Sequence, residues 1–250
     1  MQGQWFESWF DSPWYPILYS HRDYAEAEGF ISHLLQALAP APESRFLDLA
    51  CGRGRHSIFI HQHGFDVTGL DLSAASIADA NLSATEGLRF AVHDMREPLV
   101  GEYDFILNLF TSFGYFETLE EHVDVLKNVK RSLAPDGTFV LDFFNIVKVL
   151  ADLVPAQEID REGIHFSIRR SFEDGMLIKT IDLVDSGKEY HFKECVKGFD
   201  LGLFESLFAA AELQITRIWG DYAGGQFEEN TSPRLILFAK HAHPSVVDPS

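Results

Sequence analysis

The sequence predicts an α/β fold: a doubly wound, mainly parallel sheet with an antiparallel C-terminal strand pair and a small inserted antiparallel β meander. Three observations predict it. Short apolar runs alternate with amphipathic helical stretches over the first 150 residues, the pattern of right-handed crossovers between parallel strands. The alternation then gives way to some forty strand-like residues punctuated by Asp174-Gly175 and Ser186-Gly187, dipeptides suited to tight hairpin turns. One helix and two strands close the chain. The length of 250 residues suits one large domain with a modest cap. The boundaries fall at 1–152 and 200–245 for the main domain and 153–199 for the inserted cap, with residues 1–22 as a lid.

The elements follow in order. Asp23 to Leu38 carries Ala27, Phe30, Ile31, Leu34, Leu35 and Leu38 at helical spacing, and Pro40 and Pro42 stop that helix. Arg45 to Ala50 is a short apolar strand that runs into Cys51-Gly52-Arg53-Gly54, and a helix starts there and reaches about His63. Phe65 to Asp71 is the second strand, and Ser73 is placed to cap a helix reaching Ala84. Leu88 to His93 and Tyr103 to Leu109 are the third and fourth strands, and Leu119 to Leu133 is an amphipathic helix. Thr138 to Asn145 is the fifth strand, entered through Pro135-Asp136-Gly137. Ile159 to Phe199 reads as a three-stranded meander. Leu201 to Ala211 returns to helix, and Gln214 to Trp219 and Leu235 to Lys240 are the closing strands.

Composition narrows the function classes. Acidic residues outnumber basic ones 38 to 20, the net charge is −18, and no Lys/Arg run exists, so a nucleic-acid partner is not expected. The same balance favours neutral or cationic small molecules. Cys51 and Cys195 are the only cysteines, which fits a reducing, cytoplasmic setting without a disulfide framework. The opening Met-Gln-Gly-Gln-Trp lacks a basic n-region, and no apolar stretch approaches the ~18 residues of a membrane span. Neither a secretory signal nor a membrane partner is expected. Aromatic residues make up 13% of the chain, and Trp5, Trp9 and Trp14 crowd its first fourteen positions.

The chemistry-bearing signal is Asp48-Leu-Ala-Cys-Gly52-Arg-Gly54 at a strand-to-helix junction. Small residues there let backbone approach a ligand, and the free N–H groups of a helix start favour polar or anionic groups. Asp71 ends the second strand, where a carboxylate can take both hydroxyls of a ribose, and Asp94 ends the third. Open parallel sheets bind ligands at those strand ends. The spacing Gly52-x-Gly54-x-x-Ser57 lacks the third small apolar residue of a dinucleotide site, which weakens nicotinamide binding without removing it. A P-loop is excluded, because no Gly-Lys-Ser/Thr follows.

Taken together, these motifs resemble the class I S-adenosylmethionine-dependent methyltransferases. Phe46-Leu-Asp-Leu-Ala-Cys-Gly-Arg-Gly-Arg-His is similar to their first motif, Leu70-Asp71-Leu-Ser to the second-strand acidic position, and Asp94-Met95-Arg96 to the adenine-side position. Asn108 to Phe116 resembles the loop bordering the transferred methyl, and Leu133-Ala-Pro-Asp-Gly-Thr-Phe the entry to the fifth strand. The resemblance spans most of residues 15–240. It is nearest to a subgroup with an antiparallel sheet inserted after the fifth strand, which includes sugar-amine N-methyltransferases and carries a Tyr and a Lys/Arg-Asp-Tyr segment before the first helix. Tyr19 and Arg22-Asp23-Tyr24 occupy those places here. Ala50 stands where many members have glycine.

The resemblance implies a Rossmann-like fold, S-adenosylmethionine as cofactor and a small-molecule methyl acceptor. It implies that Asp48 and the backbone of Ala50, Gly52 and Gly54 cradle the methionine part, with Tyr19, Arg22 and Tyr24 at its carboxylate end. Asp71 and Leu72 would hold the ribose side, Asp94 and Met95 the adenine, and Phe110 and Thr111 would lie near the sulfonium. Tyr115 is the candidate residue for contact with substrate, and no residue presents itself as a general base. A nicotinamide-dependent oxidoreductase and a catalytically silent nucleoside-binding regulatory module are the competing readings.

The remaining candidates read as structural. His56, His61 and His63 lie on one helix without chelating geometry and read as surface or capping residues; no metal is expected. His241 and His243 are too far apart to chelate without a third ligand. His165 and His191 lie in the meander, as exposed strand residues or above the crevice. Cys51 reads as packing. The meander's open edges would also serve a homodimer.

Overall fold

The computed structural model describes residues 5–19 and 24–242, without the side chains of 5–7 and 24–26. Arg22 and His243 therefore lie outside the described residues, as do the side chains of Trp5 and Tyr24. Two short helices, α1 (Trp5–Phe10) and α2 (Trp14–Leu18), precede α3 (Tyr24–Leu38). The main domain continues through β1 (Arg45–Leu49), α4 (Arg55–Gln62), β2 (Asp66–Asp71), α5 (Ala74–Ala80) and β3 (Leu88–Val92). Then come β4 (Tyr103–Asn108), α6 (Leu119–Ser132), β5 (Leu133–Phe144) and α7 (Ile146–Ala151). The inserted strands are β6 (Ala156–Arg161), β7 (Ile164–Glu173), β8 (Met176–Asp185) and β9 (Lys188–Lys197). The chain closes with α8 (Leu201–Ala210), β10 (Leu213–Trp219) and β11 (Arg234–His241).

The main sheet has seven strands in the order β10-β11-β5-β4-β1-β2-β3, parallel except for β11. β11 runs antiparallel to both β5 and β10. The order reverses between β1 and β4, the switch point where such sheets open a crevice. Both faces of the sheet are covered, so its strands read as nearly continuous apolar runs. On one face Phe46, Val67, Leu107 and Val140 pack under α3, α4 and α5 through Phe30, Ile31, Ile60 and Ile77. On the other, Leu47, Ile106, Phe139 and Leu141 pack under α6 and α8 through Val125, Val129, Phe204 and Phe208.

Local chemistry sets the helix starts. The Ser73 hydroxyl accepts from the Ser76 N–H, and Thr118 and Glu121 form a reciprocal capping box at α6. Lys130 and Arg131 in the last turn of α6 complement its dipole.

The doubly wound sheet, the antiparallel closing pair and the inserted meander are all as expected, with differences in detail. The meander has four strands, ordered β6-β7-β8-β9, rather than three. The extra hairpin turns at Glu162-Gly163, with φ of 49° and 81°, the same doubly positive geometry as Asp174-Gly175 and Ser186-Gly187. A glutamate rarely occupies that position, so Glu162-Gly163 is a weaker turn signal than Asp-Gly or Ser-Gly. β5 begins at Leu133, and Pro135-Asp136-Gly137 lies in a register shift against β4 rather than in a turn before the strand. The helix after Ser73 ends at Ala80, and a 3₁₀ turn covers Asn81–Ser83.

The Glu162 turn yields a stability test. An L-residue in the left-handed region costs roughly 1–2 kcal/mol, which asparagine partly avoids. Glu162→Asn should therefore stabilise the protein by about 0.5–1 kcal/mol in a urea melt. An unchanged or lowered midpoint would contradict the turn geometry.

Candidate active site

A cleft of about 520 Å³ opens at the carboxyl ends of β1, β2 and β4. The structure brings Tyr19, Ala50, Gly52, Asp71, Leu72, Asp94, Met95, Phe110 and Tyr115 together around it. Its floor is the bend after β1, where Ala50 and Gly52 have φ of 63° and 55°. Among the described residues, no atom beyond Gly52 and its two chain neighbours lies within 4 Å of where a Cβ on Gly52 would be, so the cleft opens directly over that backbone. Gly54 serves a different purpose. A Cβ there would stand 2.6 Å from the Phe90 ring, so this glycine permits packing and the left-handed turn into α4 rather than lining the cleft. Cys51 is buried, with its Sγ 2.9 Å from the ideal Cβ position of Gly69, and burial pushes its thiol pKa up.

The three strand-end carboxylates have separate roles. Asp71 accepts the Gly52 N–H on one oxygen and the Ser73 N–H on the other, each at 2.8 Å, leaving each oxygen capacity for a further donor. Burial raises its pKa, against the pull of those two N–H groups. Asp94 is gripped by Arg96, whose Nη2 lies 2.6 Å from Oδ2 and whose Nε lies 3.0 Å from both oxygens. Burial would push Asp94 up, but the Arg96 hydrogen bonds and charge prevail and its pKa is lowered.

Asp48 is placed differently from the other two. It is 1% exposed and does not line the cleft, because its side chain turns toward α4, where it accepts from the Ser57 hydroxyl at 2.6 Å. Burial lifts its pKa to about 6, with Ser57 opposing and the Asp71 charge adding to the rise. Asp48 therefore positions the start of α4 beneath the cleft floor.

The wall beyond β4 depends on residues without a local sequence signal. Phe110 and Thr111 both adopt left-handed backbone, with φ of 66° and 61°. Asp142, fully buried on β5, holds them: Oδ2 accepts the Phe110 N–H at 2.9 Å and its carbonyl accepts the Thr111 N–H at 3.0 Å. Arg234 on β11 donates to Asp142 Oδ1 through Nε at 2.8 Å and Nη2 at 2.7 Å, and to Thr111 Oγ1 at 3.0 Å. The Tyr222 hydroxyl donates to Asp142 Oδ2 at 3.1 Å. The available signal was an acid inside the apolar run Phe139 to Phe144, together with an arginine opening the antiparallel partner strand.

The histidines divide. His56 is buried at the cleft, not on the surface; its Nε2 has no hydrogen-bond partner among the described residues. Burial, followed by the Arg55 charge, lowers its pKa to about 3. His61 and His63 contact the carbonyls of Phe65 and Phe59 through Nδ1, each at 2.9 Å, near the end of α4. His165 and His191 are solvent-exposed and pair with Asp160 and Asp182, away from the crevice. His241 contacts the Leu133 carbonyl at 3.0 Å. Among the described residues no group of three or more His, Cys, Asp and Glu is arranged to hold a metal ion.

The aromatic N-terminal segment packs on the meander and reaches the cleft. Trp9 is fully buried against Phe166, Ile168, Ile181 and Leu183, and its Nε1 donates to Glu194 at 2.6 Å. The Tyr19 hydroxyl donates to the same carboxylate at 2.7 Å, and Lys179 contacts that hydroxyl. Trp14 donates to Asp185 at 3.1 Å, while the Ser73 hydroxyl donates to Asp11 across the cleft. Phe10, Tyr15, Tyr19, Phe110 and Tyr115 separate the cleft from a second hollow of about 480 Å³, which Thr111 also lines. The Tyr115 hydroxyl donates to the Thr111 carbonyl.

Residues 46–137 match the family model described as a methyltransferase domain. A putative methyltransferase of Bacillus subtilis (strain 168), YqeM, is 31% identical over 245 residues, covering 93% of this chain and 96% of that protein. The chain belongs to the methyltransferase family. This methyltransferase is also 27% identical over 224 residues to a dTDP-3-amino-3,4,6-trideoxy-alpha-D-glucopyranose N,N-dimethyltransferase of Streptomyces venezuelae, covering 84% of this chain and 92% of that one. Its fold matches that of an S-adenosylmethionine-dependent methyltransferase from Clostridium acetobutylicum, with a TM-score of 0.78 at 20% identity over 92% and 96% of the two chains. It also matches an amino pentose methyltransferase of Micromonospora echinaspora solved with S-adenosylmethionine bound, with a TM-score of 0.70 at 21% identity over 91% and 96%.

The raised Asp48 pKa has a definite sign. Between the ordinary carboxylate value of 3.8 and about 6 the native state holds a proton that the unfolded chain releases, so this contribution to stability falls as pH rises through that window. Asp48→Asn removes the titration and keeps an acceptor for Ser57. Its stability relative to the parent should improve by about 2 kcal/mol between pH 4 and pH 7 in paired urea melts. A pH-independent difference would contradict the burial of a titrating Asp48.

Proposed function

We propose that this methyltransferase binds S-adenosylmethionine in the cleft and transfers its methyl group to a small-molecule acceptor held in the second hollow. The observation that carries this reading is Asp71, whose two oxygens keep acceptor capacity beside the open backbone of Gly52. The cofactor fits the residues present. Asp71 would take the ribose hydroxyls, and Leu72, left 36% exposed in the cleft, would be covered by the nucleoside. Met95 and the outer face of Asp94 would meet the adenine, with Arg96 holding Asp94 in place. The backbone at Ala50 and Gly52 would pass the methionine part, with Tyr19, Arg22 and Tyr24 assigned to its carboxylate end. Phe110, beside the hollow, would border the sulfonium together with Thr111.

When bound, S-adenosylmethionine supplies a methyl group already activated by positive sulfur. The chain's contribution is orientation and exclusion of water, and well-oriented reactants can gain roughly 7–11 kcal/mol from positioning. Tyr115 forms the wall between donor and acceptor; its proton is engaged by the Thr111 carbonyl. The aromatic segment from Trp9 to Tyr19 closes both cavities on the meander side and is assigned as the lid. A homodimer, if one forms, is assigned to the outer strand β6 of the meander. No helix among the described residues is long and apolar enough to cross a membrane. A cytoplasmic setting is supported by Cys51 and Cys195, both free thiols.

Calorimetric titration with S-adenosylhomocysteine tests the reading. Micromolar binding is expected, weakened about 10- to 100-fold in Asp71→Ala by the loss of charged hydrogen bonds. Tight NADH binding without any response to S-adenosylhomocysteine would overturn it in favour of an oxidoreductase.

A further inference from the structure

The second hollow has a charge opposite to that of the protein. The chain has 38 acidic and 20 basic residues, yet among the described residues the hollow is lined by four basic side chains, Arg161, Arg170, Lys179 and Arg234, and by one acid, Glu194. Two of the basic groups are offset: Arg234 by Asp142 at 2.7 Å and Lys179 by Glu194 at 3.6 Å. Arg170 contacts only neutral oxygens, those of Gln157 at 3.0 Å and the Val154 carbonyl at 3.4 Å. Neither Arg170 nor Arg161 has a carboxylate partner within ion-pair distance among the described residues.

The register sharpens the point. Arg170 on β7 stands directly opposite Lys179 on β8, so both side chains lie on one face of the meander. Like charges directly opposite across antiparallel strands are destabilising, and Glu194, opposite Lys179 on β9, relieves only the Lys179 side of the pair. Further along that face the pairs are apolar, Ile168 opposite Ile181 and Phe166 opposite Leu183, and they are buried under the lid. The like-charged pair occurs where the face emerges into the hollow. A bound anion would turn this repulsion into attraction, and guanidinium geometry suits carboxylate and phosphate oxygens alike.

We infer that the methyl acceptor is an anionic small molecule whose phosphate or carboxylate group is received by Arg170 and Lys179. The inference rests on the proposed reading of the hollow as the acceptor site. It reverses the expectation drawn from whole-chain charge, because acidic residues more than ~10 Å away are screened while those lining the hollow are not.

The test is calorimetric titration at low salt of protein saturated with S-adenosylhomocysteine, using inorganic pyrophosphate as the phosphate probe and succinate as the carboxylate probe. At least one probe should bind at a single site, and the stronger one identifies the source of the anionic group. Arg170→Gln should weaken that binding by about tenfold or more, Arg170→Lys should restore part of it, and affinity for S-adenosylhomocysteine should be kept, reporting an intact fold. Absence of binding by both anions to protein that binds S-adenosylhomocysteine would overturn the inference alone. Undiminished anion binding in Arg170→Gln would do the same. Failure of S-adenosylhomocysteine to bind the parent protein would instead remove the reading beneath it.

Discussion

Asp142 is fully buried, yet it accepts hydrogen bonds from the Phe110 backbone, the Tyr222 hydroxyl and the Arg234 guanidinium. The wall between the two cavities depends on that convergence. Phe110 and Thr111 adopt consecutive left-handed conformations, each costing an L-residue roughly 1–2 kcal/mol. Hydrogen bonds to a charged group contribute about 1.5–3 kcal/mol each, enough to offset the strain if the carboxylate is itself satisfied. Arg234 provides that satisfaction from β11, whose register with β5 places its own start near Asp142. The antiparallel closing strands, remote in sequence from the nucleoside motif, thereby shape the edge of the cleft.

Glu194 has a similar role on the other side. It accepts from Trp9 and Tyr19 of the N-terminal segment and pairs with Lys179 of the meander, so one carboxylate joins that segment to the inserted sheet. Between Trp9 and Trp14 the same segment meets the α5 start through Asp11 and Ser73, next to Asp71. N-terminal segment, meander and cleft are thus connected by polar contacts at their margins, while the Trp9 cluster contributes the apolar burial between segment and meander.

Much of this architecture was legible because it rests on local pattern. Alternating strands and helices gave the sheet, the Ser73 cap gave a helix start, and Gly52 and Asp71 were identified as neighbours at one crevice. What escaped depends on tertiary orientation or on unusual residues in ordinary structures. Arg234 and Asp142 are 92 positions apart, and no period joins them. The resemblance puts Asp48 among the residues cradling the methionine part, but its side chain turns to Ser57. Glu162 hides a hairpin because its left-handed φ comes from the fold and not from its residue type. Whole-chain charge concealed a basic hollow for the same reason: composition averages over surfaces that never meet.

The most direct test of the account is a crystal structure with S-adenosylhomocysteine bound. The ribose is expected on Asp71, with the thioether sulfur beside Phe110 and facing the hollow lined by Arg170 and Lys179. A nucleoside seated elsewhere, or a sulfur directed away from that hollow, would contradict it.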